Sequence, residues 1–351
     1  GLIVLGERAR FTGLRLVGPD PDYDEYTQAQ KDAAYQASAR AMRIGDESEV
    51  DNCEISNFYR EGIGVKNARA VVRHNYLHDI AAYPVLVAGR PGSEALVEAN
   101  IIHWGWHAIA GTGEVGTGYE ARYNIFRPHK IAPPFGTGVS HCLDQHADRG
   151  VMRATGQVLA GDWLSWHHNT IHLDGELEAH EGRAGSSPNN GLGMKIRGNP
   201  QTLAKVYRNW FPNSTNVERI LGPYGGRGEQ AHGNVWVYDN AYGPDKRQVA
   251  QPVWRTTPQI LFRNPPPPTG EPHRLTGRLE LNIEVNTIES LELAGVIVKL
   301  DDEVIWLQER APNPGEVTIA AADLAGKRRK LSVSAIDTRG ALGTHYVFVR
   351  P

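Results

Sequence analysis

The segment CysLeuAspGlnHisAlaAsp at 142–148 sets Asp144, His146 and Asp148 two residues apart, and MetLysIleArg at 194–197 does the same for Lys195 and Arg197. Side chains two apart share one face of a β-strand. If the two segments are neighbouring strands in register, they build one charged cluster. Two chemistries fit it. In β-elimination on a uronate polymer, a cation neutralises the carboxylate to acidify the C5 proton. A base then takes that proton, and an acid can assist the leaving oxygen. Arg197 is the candidate for holding the carboxylate, and Lys195 or His146 for the base, with burial beside cations lowering the pKa of Lys195. Asp144 and Asp148 either orient His146 or bind a Ca²⁺ ion that bridges the carboxylate; no other cofactor is expected. Inverting hydrolysis instead requires two carboxyls about 6.5–9.5 Å apart. Four residues' rise would separate Asp144 and Asp148 by ~13 Å on a straight strand, which favours elimination unless Asp162 or Glu120 supplies the partner. The bland alternative is a set of solvated ion pairs of little energetic weight.

Elements that could position such a cluster repeat along the chain. VDNCEIS (50–56), VRHNYLH (72–78), VEANIIH (97–103), ARYNIFR (121–127), WHHNTIH (166–172), VYRNWFP (206–212) and VYDNAYG (237–243) align with Cys53, Asn75, Asn100, Asn124, Asn169, Asn209 and Asn240 in one column. The spacings run 22, 25 and 24, then 45, 40 and 31, as one unit with loops inserted. Apolar residues stand three before and two after the column, with a polar column between. That pattern is a half-buried strand, a bend at Asn, and a second strand. Asn side chains stacked at the bend would hydrogen-bond up and down the stack. A fixed period in this range means a solenoid or a propeller. No four-strand blade or Trp-Asp signature is present, so the expected fold is an all-β right-handed parallel β-helix.

On this repeated hydrophobic-x-x-Asn-x-hydrophobic unit, about residues 1–263 resemble the pectate-lyase-like superfamily of right-handed parallel β-helix proteins. The resemblance implies a polysaccharide partner and a secreted, periplasmic or cell-surface location. Lyases, hydrolases, epimerases, tailspikes and adhesins share the fold, so the fold does not select the activity. No complete catalytic signature of one subfamily is present. Elimination on a uronate-containing glycan leads; inverting glycoside hydrolysis and a non-catalytic glycan-binding or adhesion solenoid are the alternatives.

An earlier strand of each repeat aligns as well. Its inward pairs are Met42/Ile44, Ile63/Val65, Val85/Val87, Ile109/Gly111, Leu143/Gln145 and Met194/Ile196, with outward columns Arg43, Gly64, Leu86, Ala110, Asp144, Lys195 and Gly45, Lys66, Ala88, Thr112, His146, Arg197. This puts Asp144 and His146 beside Lys195 and Arg197 at the end of a trough floored by small residues. A one-residue slip would turn them all inward. Arg43, Thr112, Trp104, Trp106, Tyr119 and Arg122 are the candidate substrate contacts; an aromatic face suits sugar C–H patches, whereas Trp166 sits in an inward column. Eleven of the 14 histidines fall between 74 and 180. His78, His103 and His172 share a column open to a transition metal, though Arg127 interrupts it. His167 is the next catalytic histidine after His146.

The 351 residues carry 37 basic and 40 acidic side chains, which argues against a chain-wide nucleic-acid footprint. No apolar run reaches the ~20 residues of a membrane span, and two cysteines cannot form a disulfide framework. A monomer is expected. Gly1 reads as a mature or trimmed terminus. Residues 20–40 break the repeat as a loop with a short helix. Residues 264–277 are a Pro-rich linker, and 278–351 alternate like an immunoglobulin-like or fibronectin-like antiparallel β-sandwich.

Overall fold

The computed structural model describes residues 3–20, 25–37, 40–89, 91–103, 105–127, 141–156, 158–172, 192–212, 233–244, 247–248, 257–265, 271–288, 291–309 and 317–351. The chain is mostly β, as the all-β reading requires. Its N-terminal part is three long sheets in which neighbouring strands pair in parallel, mostly each with the strand three later in sequence. The first sheet runs Ile3–Leu5, Arg40–Ile44, Glu61–Lys66, Tyr83–Ala88, His107–Gly111, His141–Gln145 and Leu192–Ile196. The second begins at Arg10–Thr12 and ends at Val235–Tyr238; the third begins at Arg15–Val17 and ends with the antiparallel strand Arg247–Gln248. This arrangement is compatible with a parallel β-helix. Two helices interrupt it, α1 (Gln28–Gln36) and α2 (Arg149–Thr155). No described helix is long and apolar enough to cross a membrane.

The corner between second and third sheets explains the repeat. The residue before each aligned position, namely Asn52, His74, Ala99, Tyr123, His168, Arg208 and Asp239, has φ between 51° and 57°. That left-handed backbone costs a non-glycine residue about 1 kcal/mol or more. The next residue's side chain holds the corner. Asn100 Nδ2 donates to Val72 O at 3.0 Å and to Asn124 Oδ1 at 3.0 Å, while Asn100 N donates to the same Oδ1 at 3.1 Å. The pattern continues through Asn75, Asn124, Asn169, Asn209 and Asn240, with Cys53 N donating to Asn75 Oδ1 at its N-terminal end. Beneath the ladder lies one core in which Val50, Val72, Val97, Ala121, Trp166 and Val206 are fully buried.

The C-terminal part has a second core between a three-stranded sheet (Gln259–Asn264, Arg278–Asn286, Val317–Ala320) and a five-stranded one (His273–Arg274, Leu342–Arg350, Arg329–Asp337, Leu293–Leu300, Glu303–Glu309). The strand Gln259–Asn264 thus pairs with Arg278–Asn286 across the Pro-rich stretch, of which 266–270 lie outside the described residues. Asn234 ties the two parts together, its Nδ2 donating to Ile260 O at 2.8 Å and its Oδ1 accepting from Ile260 N at 2.6 Å.

Two predictions follow from burial. Asn124→Ala strands the amide groups of Asn100 and the carbonyl of Val97 and is expected to cost about 3–5 kcal/mol. Chemical denaturation measures this, with exposed Lys66→Ala within about 0.5 kcal/mol of the parent as control. His345 is 2% exposed, and burial lowers its pKa from 6.5 to about 4. Between those values the unfolded chain binds a proton that the folded one refuses, so stability falls as pH falls across that window. His345→Phe should remove part of that slope, read as the difference between the two proteins' denaturation midpoints from pH 7 to pH 4.

Candidate active site

Strands pair so that Ala110 stands beside Asp144 and Asp144 beside Lys195, while Arg197 N donates to Gln145 O at 3.0 Å. Asp144 is fully buried on the outer side of the first sheet. Arg197 forks it, Nε to Oδ1 at 2.9 Å and Nη2 to Oδ2 at 2.7 Å. Oδ2 also receives His107 Nδ1 and His146 Nε2, each at 2.8 Å. Burial alone would raise the Asp144 pKa, but the facing His107, His146 and Arg197 outweigh it and hold the carboxyl ionised well below the usual range. An ionised carboxylate only accepts hydrogen bonds, so Nε2 of His146 is the donor, and in a neutral ring Nδ1 carries the lone pair. His107 is fixed in the same way, its Nε2 3.4 Å from Arg197 Nη2. Its ring stacks on Trp106 at 3.9 Å and on His141 at 4.9 Å. Burial lowers the pKa of both His107 and His141, against the opposing pull of Asp144.

A cleft of about 510 Å³ opens above this cluster. Tyr35, Arg60, Glu61, Tyr83 and Trp106 line one end, and Thr112, Glu114, His146, Asp148, Arg149 and Arg197 the other. Thr112 Oγ1 donates to Glu114. Burial raises the Tyr83 pKa, with Tyr35 and Asp144 adding to it, so the phenol stays protonated. Burial, then Arg197, lowers the Lys195 pKa, although Lys195 is not among the residues lining the cleft.

Other expected site residues take different positions or roles. The strand ends at Gln145, and Asp148 instead caps α2: its Oδ1 accepts from Gly150 N at 2.8 Å and Val151 N at 3.0 Å, and its Oδ2 from Val115 N at 3.3 Å. Tyr119, expected beside the trough, is 1% exposed in the core and donates its hydroxyl to Asp144 O at 2.9 Å. Arg122 and His167 belong to the second sheet, where both bond to Glu120. Asp162 accepts from Thr202. Arg43 is four strands from Asp144, ~19 Å at the spacing of neighbouring strands. Trp104 lies outside the described residues, as do most of the inserted loops at 127–141 and 174–190.

The residues that strict alternation missed are Glu61, Tyr83, His107 and His141. Counting by twos from Ile109 and Leu143 points them inward. The alternation breaks, because Ala108 and Ile109 both lie in the core, as do Cys142 and Leu143. The preceding residue of each strand then returns to the outer face. The recurrence of polar residues in that column, Arg40, Glu61, Tyr83, His107 and His141, was the available signal.

The site does not suit Ca²⁺ at Asp144 and Asp148, because hydrogen bonds occupy the oxygens of both. His107, Asp144 and His146 offer three donor atoms within 4.8 Å of one another, a nitrogen-rich set that suits a transition metal. Arg197 already balances Asp144, however, so a divalent ion would add two uncompensated charges to a buried cluster. The arrangement instead holds and orients an imidazole. Asp144→Leu and Arg197→Met should each destabilise by about 3–5 kcal/mol, because each leaves a buried charge unpaired or buried donors without an acceptor. The double variant is expected to cost less than the sum, measured by a denaturation cycle. No protein-family model matches the chain, nor does any curated protein or solved structure, so its chemistry rests on this geometry.

Proposed function

We propose that the chain is a right-handed parallel β-helix carrying an immunoglobulin-like module, exported to act on polysaccharide, and that it cleaves a uronate-containing glycan by β-elimination in the cleft. The Asp144–His146 pair is the observation that carries this reading. His146 lines the cleft with Nε2 held at 2.8 Å by an ionised carboxylate, which leaves Nδ1 as an oriented base.

Nδ1 of His146 takes the C5 proton. The electron pair forms the C4–C5 double bond as the C4–O bond breaks, and the protonated phenol of Tyr83 gives its proton to the leaving oxygen. Arg197 is engaged by Asp144, so the substrate carboxylate falls to Arg149, which lines the cleft and has no ion-pair partner among the described residues. Trp106 offers a ring for sugar faces. Lys195, with its lowered pKa, is the second candidate base. Hydrolysis would need a carboxylic acid with a proton to give, and Asp144, held ionised, does not supply it.

The test is incubation with a panel of uronate-containing and neutral polysaccharides, with and without EDTA, following reducing ends and the ultraviolet absorbance of unsaturated uronates. Both should rise on an acidic polymer, independently of EDTA. His146→Ala should lower kcat by about 10²–10⁴ with little change in KM. Reducing ends rising alone would mean hydrolysis. Silence across the panel would favour a glycan-binding solenoid.

A further inference from the structure

The far end of the same cleft carries charges that the elimination does not use. Glu61 is a buried carboxylate, 4% exposed at its side chain. Arg40 Nε lies 3.0 Å from its Oε2, and Arg60 Nε lies 3.4 Å from its Oε1. The Arg60 guanidinium is held over the Tyr35 ring at 4.6 Å, and both residues line the cleft. Arg43 stands across Gly64, where a Cβ would come within 3.3 Å of Glu61 Oε2 and 3.8 Å of Arg43 Cγ. The glycine therefore leaves room for the carboxylate beside the stem of Arg43, which borders the cleft without being among its lining residues. Arg43 is exposed and has no ion-pair partner among the described residues.

One carboxylate thus faces two guanidiniums, with a third beside it. Burial lowers the Arg40 pKa against the opposing pull of Glu61, and repulsion from Arg60 and Arg43 adds to the lowering. Guanidinium forks match carboxylate and sulfate oxygens. Two strands, Tyr83–Ala88 and His107–Gly111, separate Glu61 from Asp144 in the first sheet. Three strand spacings amount to ~14 Å, farther than one monosaccharide reaches. Tyr83, Leu86 and Trp106 line the cleft between.

The geometry points to a distal subsite in which Arg60 and Arg43, backed by Arg40, bind the carboxylate or sulfate of a sugar more than one residue away from the scissile bond. The inference rests on the elimination reading only for the position of that bond. Because sheet positions are fixed, the subsite would select polymers whose anionic groups recur along the chain, and would admit a neutral polymer poorly.

Calorimetry on the full chain at low salt tests this with tetrasaccharides of galacturonate, mannuronate and chondroitin sulfate, each beside its carboxyl-reduced or desulfated form. At least one charged oligomer should bind about tenfold or more tightly than its neutralised form. Arg43→Met and Arg60→Met should each erase about tenfold of the charged oligomer's affinity and leave the neutralised form unchanged. Arg43 is exposed, so its variant probes the site without disturbing the buried pair. The inference is overturned if no charged oligomer binds, if charge makes no difference, or if the variants change nothing. Inorganic sulfate binding through the same arginines while the oligomers do not would also overturn it. Charge-dependent binding without cleavage sustains the subsite and removes the elimination reading. Cleavage with affinity indifferent to both arginines does the reverse.

Discussion

The buried amide at one corner of each repeat sets the frame on which everything else hangs. From Asn75 to Asn209 each Asn side chain uses both its donors and its acceptor within the stack, and each follows a residue in left-handed backbone. That backbone is unfavourable for Ala99, Tyr123 or Arg208 taken alone. The ladder offsets it and fixes the offset between one turn and the next. Insertions that stretch the spacing from 22 to 45 residues can then leave the body as loops without shifting the columns. Register of the first sheet, and with it the placing of Asp144 beside Lys195, follows from hydrogen bonds at the opposite side of the core.

Burial separates two clusters of the same residue types. Glu120, Arg122 and His167 on the second sheet repeat the carboxylate, guanidinium and imidazole of Asp144, Arg197 and His146. Glu120 has a side chain 28% exposed, so water screens its pairs and their worth is small. Asp144 is wholly buried, and its ionised form persists only because three partners converge on it. A buried pair of that kind is poor evidence for stability. Its use is to fix which nitrogen of His146 carries the proton and where the other one sits.

The repeat was legible because ladder and core demand the same residue types at every turn. Asn169 and Trp166 could be assigned by position alone. The outward columns through Asp144 and His146 were legible for the same reason. Three departures have different causes. Tyr119 stands two residues before inward Ala121, so alternation already put it in the core, and its ring, not its position, suggested a sugar contact. His107 and Glu61 were hidden by a real break in alternation, where consecutive residues such as Ala108 and Ile109 both enter the core. Asp148 reaches the cleft from a helix cap and not from the strand, and no strand pattern reveals where a strand yields to a cap.

The C-terminal unit bears on the cleft through a short chain of hydrogen bonds. Tyr346 accepts from Val158 N at 3.1 Å, and Thr344 O accepts from Asn199 Nδ2 at 3.1 Å. Val158 and Asn199 are themselves bonded, Asn199 N to Val158 O at 3.0 Å. Asn199 lies two residues past Arg197, and the neighbouring Leu159 O accepts from Asp148 N at 2.8 Å, just before α2. The wall bearing Asp148 and Arg149 and the strand end bearing Arg197 are thus both braced from one side by Tyr346 and Thr344. A cleft whose walls are loop and helix start would otherwise sample many arrangements, at the expense of any oriented base. Fixing that wall against a second core gives the appended unit a structural share in the site without a single residue in the cleft.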